Sequence, residues 1–150
     1  MTQGGPDPDA VAVSTEALAR LRPICHALPE VEERLSHGEP AWFVGGKRLF
    51  VTFADRHHDD RVACWCAAAP GVQAALATQR PDHYFRPPYV GHRGWLGIYL
   101  DVDADWDEVE ALVHDAYMAV APARLAAAAE RSGGASRSAV VVREGERERD

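Results

Sequence analysis

The segment from residue 84 to residue 95, YFRPPYVGHRGW, combines side chains suited to binding an anionic or planar partner. Arg86, His92 and Arg93 can contact phosphate oxygens or another anion. Tyr89 and Trp95 offer flat rings on which a nucleobase or another planar group can stack. These residue types are suited to binding rather than to bond-breaking.

A structural interpretation of the same segment stays open beside the binding one. The prolines and glycines fix the shape of a loop, because they restrict or widen the backbone angles available to it. Trp95 then packs into the core, and the arginines stay solvated or pair with acids such as Asp101.

Two further groups of residues resemble metal sites only superficially. Cys64 and Cys66 are separated by one residue, whereas structural zinc sites need four ligands and wider spacing. We expect buried apolar cysteines there. The acids between Asp101 and Glu108 lack the glycine and terminal glutamate of a calcium loop, and fit the start of a helix. The sequence therefore predicts no metal and no cofactor.

Catalytic motifs are not found in the sequence. It contains no Gly-x-Ser-x-Gly elbow, no glycine-rich phosphate loop and no His-Glu-x-x-His, and its histidines stand outside any such motif. No set of nucleophile, base and oxyanion donors can be assembled. We therefore predict no catalytic residues and a non-enzymatic binding protein.

Composition limits the class of protein. The chain has 150 residues, of which 47% are apolar, and this is enough for one compact domain. No apolar run is long enough to span a membrane, and the N-terminus does not resemble a signal peptide. Three cysteines fit a reducing compartment, so we expect a cytoplasmic protein without a membrane partner.

Net charge weighs against tight DNA binding. The formal charge is −7, whereas a nucleic-acid-binding protein usually carries a basic surface. Charge is uneven, however, because residues 80–93 hold Arg80, Arg86 and Arg93 against Asp82 alone. This segment is the positive exception on an acidic chain.

The pattern of apolar residues predicts an α+β domain over residues 14–129, between disordered segments at 1–13 and 130–150. We expect a helix over 14–27, interrupted or kinked at Pro23, and then three antiparallel strands in the first half. Gly45 and Gly46 should form the turn of a hairpin. A short helix after Pro70, a strand after Trp95 and an amphipathic helix capped by Asp105 complete the order. Strands grouped between helices indicate an antiparallel sheet with helices on one face.

Several short motifs, in this order and spacing, resemble the MmcQ/YjbR family of small bacterial proteins. They are Leu28–Val31 with Glu33, Gly38–Ala41, Gly46-Lys47, Phe85–Gly91, His92–Trp95 and Asp105–Val109. The resemblance implies a two-layer CyaY-like fold. The family is often described as DNA-binding through a double wing, and this would place positive wings at Lys47-Arg48 and at Arg86 to Arg93.

Two functional hypotheses follow. The first is a DNA-binding or regulatory module that uses the basic aromatic segment, with Lys47, Arg48, Arg86, Tyr89, His92, Arg93 and Trp95 as its contacts. The second is a protein that binds or sequesters a small planar molecule in a cleft beside the sheet. The aromatic residues that could line such a cleft are Trp42, Trp65, Tyr84, Tyr89 and Trp95.

Overall fold

The computed structural model describes residues 8–56 and 60–133, without the side chains of residues 132 and 133. These residues form four α-helices, one short 3-10 helix and six strands. In chain order they are α1 (Pro8–His26), β1 (Val31–Ser36), β2 (Glu39–Val44), β3 (Arg48–Asp55), β4 (Val62–Cys66), α2 (Val72–Gln79), β5 (Tyr84–Phe85), the 3-10 helix (Gly91–Arg93), β6 (Leu96–Tyr99), α3 (Trp106–Val120) and α4 (Ala123–Gly133).

All six strands form one antiparallel sheet in the order β1-β2-β3-β4-β6-β5. The predicted α+β class is therefore confirmed. The sheet is open, with β1 at one edge and the two-residue strand β5 at the other. Since β6 lies between β4 and β5, the chain leaves the sheet after β4, forms α2 and re-enters at the far edge.

Two glycine-containing turns set the register of the first three strands. Gly45 and Gly46 both have positive φ angles, 61° and 74°, and they join β2 to β3 as predicted. His37 and Gly38, at 53° and 81°, form a two-residue loop between β1 and β2. Such turns match the right-handed twist of the strands they connect.

The helices α1 and α3 cover one face of the sheet. Phe50 lies at a bulge in β3, and its ring meets the ring of Tyr117 from α3 edge-on, with 5.6 Å between centroids. Cys66 lies beside Leu112 of α3, so the side chains at alternate positions of β4 point toward the helices. The neighbouring residue Trp65 therefore points to the opposite face.

The helix α3 follows its sequence pattern. Asp105 caps it by accepting hydrogen bonds from the backbone N–H groups of Asp107 and Glu108, at 3.1 and 3.3 Å. Its predicted apolar stripe is buried from Val109 to Tyr117. The helix ends at Val120, two residues before Pro122, since proline disfavours helical geometry in the residue before it.

A polar cluster joins α1 to β1 and β2. The carboxylate of Glu33 accepts hydrogen bonds from the Arg22 guanidinium, at 2.8 to 3.1 Å, and from the indole N–H of Trp42, at 3.1 Å. His26 Nε2 lies 2.9 Å from the same carboxylate. Trp42 is fully buried, so Glu33 satisfies a donor that water cannot reach.

Three expectations about the elements were wrong. Residues 8–13 were predicted to be disordered, but they form the first turns of α1, with Pro8 at a first-turn position that needs no N–H. Strand β1 was not predicted, so the first half holds four strands instead of three. Residues 130–133 belong to α4 rather than to a disordered tail. The rest of the predicted disordered ends, 1–7 and 134–150, lies outside the described residues.

The cysteines Cys25, Cys64 and Cys66 are buried and unbridged, as predicted for the latter two. Burial raises the pKa of the Cys64 thiol well above its ordinary value, so this thiol stays protonated and unreactive. Within residues 8–56 and 60–133, no three His, Cys, Asp or Glu side chains are grouped to hold a metal ion. None of the helices described there is long and apolar enough to cross a bilayer.

Candidate ligand-binding site

A cavity of about 560 Å³ lies against the sheet face that Trp65 occupies, and we call it the aromatic cavity. It opens between the β1–β2 hairpin, the middle strands and the segment that leads into β6. Its lining residues are Ser36, His37, Glu39, Leu49, Thr52, Phe53, Trp65, Tyr89, Val90 and Trp95.

The floor of the aromatic cavity is set by strand register. Thr52, Trp65, Gly97 and Phe85 are aligned partners across β3, β4, β6 and β5, so they form one row on this face. Trp65 is 8% exposed, so most of its indole is covered by neighbouring residues and a small part of it lines the cavity. The Cε and Cζ carbons of the Phe85 ring lie next to Gly97, and only a residue without a side chain leaves that space.

The wall of the aromatic cavity is the loop 86–95. Pro87 is fully buried and anchors the start of this loop. The side-chain amide of Gln73, in α2, donates to the carbonyl oxygens of Gly91, at 2.8 Å, and of Trp95. Both ends of the 3-10 helix are therefore fixed to α2, and the loop has a defined shape.

Tyr89 is the exposed part of that wall. Its side chain is 75% exposed, and its ring centroid lies 6.5 Å from that of Trp65 with the planes inclined at 47°. Its φ angle is 68°, a left-handed conformation that costs a non-glycine residue about 1 kcal/mol. Strain of this kind is concentrated at ligand-binding segments. Tyr89 is therefore the open side of this aromatic pair, and Trp65 is its buried side.

The opposite rim of the aromatic cavity is polar. Ser36 ends β1, His37 lies in the β1–β2 turn, and Glu39 begins β2. Glu39 is held in place by a hydrogen bond that its carboxylate accepts from the backbone N–H of Asp55, at 3.1 Å. Aromatic surface on one side and a few polar groups on the other are typical of sites for small organic molecules.

The structure places the predicted site residues in different surroundings. Tyr89 and Trp95 line the aromatic cavity. His92 and Arg93 are exposed on the 3-10 helix, and the Arg93 guanidinium carbon lies 5.5 Å from the Trp95 ring. The side chain of Arg86 lies across Gly91. The loop thus brings these five residues together.

The other predicted wing is separate. Lys47 is exposed in the β2–β3 turn, while Arg48 donates a hydrogen bond to the carbonyl oxygen of Val120, at 3.3 Å, near the end of α3. A cation at this position complements the negative end of the helix dipole. Arg48 therefore has a structural partner on the helix side of the sheet, away from the row that contains Trp65.

Two aromatic residues expected in the cleft lie elsewhere. Trp42 is buried, and its indole N–H donates to Glu33 of β1 and to His26 of α1. Tyr84 is buried and donates its hydroxyl proton to Glu108, which also pairs with Arg80 at 2.8 Å. Burial and this carboxylate raise the pKa of Tyr84 well above its ordinary value. Arg80 is thus neutralised, and the local positive charge is smaller than the sequence indicates.

Four lining residues, Ser36, His37, Leu49 and Thr52, were not predicted as part of a site. Ser36 and His37 read as an ordinary polar turn, and Leu49 and Thr52 as alternating strand positions. The row of partners across four strands depends on register, and register is a long-range property that local patterns do not contain.

A family model described as YjbR matches residues 26–119, which is more than half of the sequence. The chain belongs to the YjbR family. The match contains the whole aromatic cavity, and the recognised resemblance is confirmed. No curated protein is significantly similar in sequence to this YjbR chain.

Among solved structures, this YjbR protein is similar to the crystal structure of Deinococcus radiodurans protein DR2400, described as a DUF419 domain. The TM-score is 0.60, and the similarity covers 75% of this chain and 83% of that chain. Sequence identity is 17%. This similarity supports the fold assignment, and the site must be interpreted from its own residues.

Proposed function

We propose that this YjbR protein binds a small planar organic molecule in the aromatic cavity. The observation that carries the proposal is the open pair of rings, Trp65 and Tyr89, above a cavity of about 560 Å³. This volume lies within the range of ordinary small-molecule sites, about 300 to 1,000 Å³. A planar ligand would stack on Trp65 and be covered by Tyr89.

The surroundings favour binding rather than chemistry. The wall is preformed by the bonds of Gln73 to the loop, so little ordering entropy is lost when a ligand enters. Ser36, His37 and Glu39 can orient polar edges of the ligand. A non-enzymatic binding or sequestering role agrees with this set of groups.

The test is a titration with indole, quinoline and naphthalene-2-sulfonate, followed by tryptophan fluorescence and melting temperature. We expect at least one probe to quench fluorescence saturably and to raise the melting temperature. Replacing Tyr89 with alanine should lower the affinity for that probe by roughly three- to tenfold, since an aromatic pair contributes about 0.5 to 1.5 kcal/mol to binding. His92→Ala changes an exposed residue of the same loop outside the lining, and should have no effect. Absence of quenching by all three probes would contradict the proposal.

DNA binding is the second candidate, and one observation favours it. Lys47, Arg86 and Arg93 form no ion pair with any residue that the structure describes, so their charges are available to phosphates, and the exposed His92 lies beside Arg93. The charge of −7 opposes this role, because affinity for DNA increases with the number of phosphates neutralised.

The DNA candidate predicts salt-dependent binding of labelled single- or double-stranded DNA in fluorescence anisotropy. In Arg86→Ala/Arg93→Ala, affinity and the slope against salt concentration should both fall, because two phosphate contacts are lost. Arg124→Ala is the matched control, since Arg124 pairs with Glu30 at the surface. Binding that the double variant retains would exclude the loop as the DNA site.

A further inference from the structure

A second cavity lies on the helix side of the sheet and has a different chemistry. Its volume is about 320 Å³, and it opens between the chain that follows β4 and the helix α3. The lining residues are Cys66, Ala67, Ala68, Ala69, Val72, Leu96, Leu112, Asp115, Met118 and Ala119. We call it the alanine cavity.

One carboxylate interrupts this apolar surface. Asp115 lies between Leu112 and Ala119 on the inner side of α3, because residues three and four apart share a helix face. Its side chain has no hydrogen bond or ion pair with any residue in the described ranges, and no Lys, Arg or His among them lines the cavity. An unpaired carboxylate in apolar surroundings is costly, so its presence needs a reason.

The electrostatic surroundings of Asp115 are uniformly unfavourable to a second anion. Burial raises the pKa of Asp115 to about 7, and the carboxylate of Glu130 on α4 raises it further. On the sheet side, burial and Asp115 raise the pKa of the Cys66 thiol to about 12, so this thiol is neutral. The groups facing Asp115 are therefore a neutral thiol and another acid, and a cation would be attracted.

We infer that the alanine cavity binds a small organic monocation, an aliphatic ammonium whose apolar body contacts the alanine, leucine and methionine side chains while its charge pairs with Asp115. A metal ion fits less well, because one carboxylate and one protonated thiol do not supply a coordination shell. Glu130 of α4, whose charge acts on Asp115, adds negative potential that favours a cation.

Binding of such a cation is linked to pH. The cation needs ionised Asp115, which is largely protonated well below pH 7. Affinity should therefore fall about tenfold or more between pH 8 and pH 5.5, while the alkylammonium itself stays charged across this range.

The test uses cyclohexylammonium and its neutral analogue cyclohexanol, at matched ionic strength, in a two-dimensional amide NMR titration of the full chain. Cyclohexylammonium has no flat ring to stack on Trp65, and the amide signal of Tyr89 reports separately on any cation–π contact in the aromatic cavity. We expect saturable shifts at Ala67, Ala68 and Ala119, and affinity for cyclohexanol at least about tenfold lower. The amide signal of Tyr89 should not move, and the Tyr89→Ala variant should bind cyclohexylammonium as tightly as the wild type does.

Two variants separate the charge from the shape of the cavity. Asp115→Asn should lower the affinity for cyclohexylammonium by about tenfold or more, because the charge is removed. Ala68→Leu should abolish binding, because the larger side chain fills the cavity. Asp82→Asn removes one exposed negative charge outside the cavity lining, and it should leave the affinity for cyclohexylammonium unchanged. The inference is wrong if cyclohexanol binds as well as the ammonium, if Asp115→Asn binds normally, or if the wild type shows no shifts. Failure of the planar-ligand proposal would leave this result unaffected.

Discussion

Glu33→Ala is expected to lower the free energy of unfolding at pH 7 by about 3 kcal/mol, measured by urea denaturation. The carboxylate accepts from the Arg22 guanidinium and from the buried indole N–H of Trp42. Removing it loses a charge-assisted hydrogen bond and leaves the buried indole N–H of Trp42 with only its longer contact, 3.2 Å to His26 Nε2. Glu32→Ala is the matched control on the same strand. Among the described residues Glu32 forms an ion pair with Arg34 alone, at the surface, where its side chain is 57% exposed, so we expect a change within about 0.5 kcal/mol.

The effect of Glu33 should also depend on pH. The Arg22 hydrogen bond lowers the pKa of Glu33 to about 2 from 4.5, with smaller contributions from His26 and Trp42 and against the opposing effect of burial. A lowered pKa in the folded state means that this stabilisation is complete above pH 4.5 and is lost as pH falls toward 2. The difference between wild type and Glu33→Ala should narrow through that window. A difference that stays constant down to pH 3 would show that packing, not ionisation, explains the effect.

Gly97→Ala is expected to destabilise the protein by about 1 to 3 kcal/mol. A β-carbon at this position would lie 2.6 Å from Cε1 of Phe85, whose ring is also stacked on Tyr99 with 4.5 Å between centroids. The ring must leave the sheet surface or the strands must separate. Thermal or urea denaturation of the single variant measures the cost.

A double variant and a second glycine make this prediction specific. Phe85→Leu removes the clashing end of the ring, so Phe85→Leu/Gly97→Ala should recover part of the loss, with a coupling energy of about 1 kcal/mol. Gly91→Ala is the control, because its β-carbon would lie 2.6 Å from Cγ of Arg86, an exposed side chain that can rotate away where the packed ring of Phe85 cannot. We expect a change below about 1 kcal/mol there. Equal losses at both glycines would contradict the argument.

The elements that could be predicted from the sequence are those with strong local signals. The Gly45-Gly46 turn needs positive φ, Asp105 is a helix cap, and the stripe of α3 repeats at helical spacing. Strand β1 lacked such a signal, because VEERLS carries three charges and sits at an edge where only one neighbour pairs with it. Its strand character comes from pairing with β2.

The candidate site was only half predictable for a related physical reason. Tyr89 and Trp95 stand out because an unusual loop carries them, but Trp65 becomes part of the site only through its register with Thr52 and Gly97. Asp115 looks like any acid on a helix, and its exceptional surroundings come from small residues after β4 that leave space beside it. Burial of a single residue depends on which residues the fold packs against it, and the neighbouring sequence does not contain that information.

The two edges of the sheet have a consequence for how the chain behaves in a crowded solution. The edge strand β1 presents Glu32, Glu33 and Arg34, and a strand added alongside it would have to desolvate these charges. The opposite edge, β5, has two residues and offers few backbone groups for pairing. Growth into ribbons by successive strand addition is therefore disfavoured at both ends. The sheet can keep an aromatic face open to a ligand without becoming a template for fibrils.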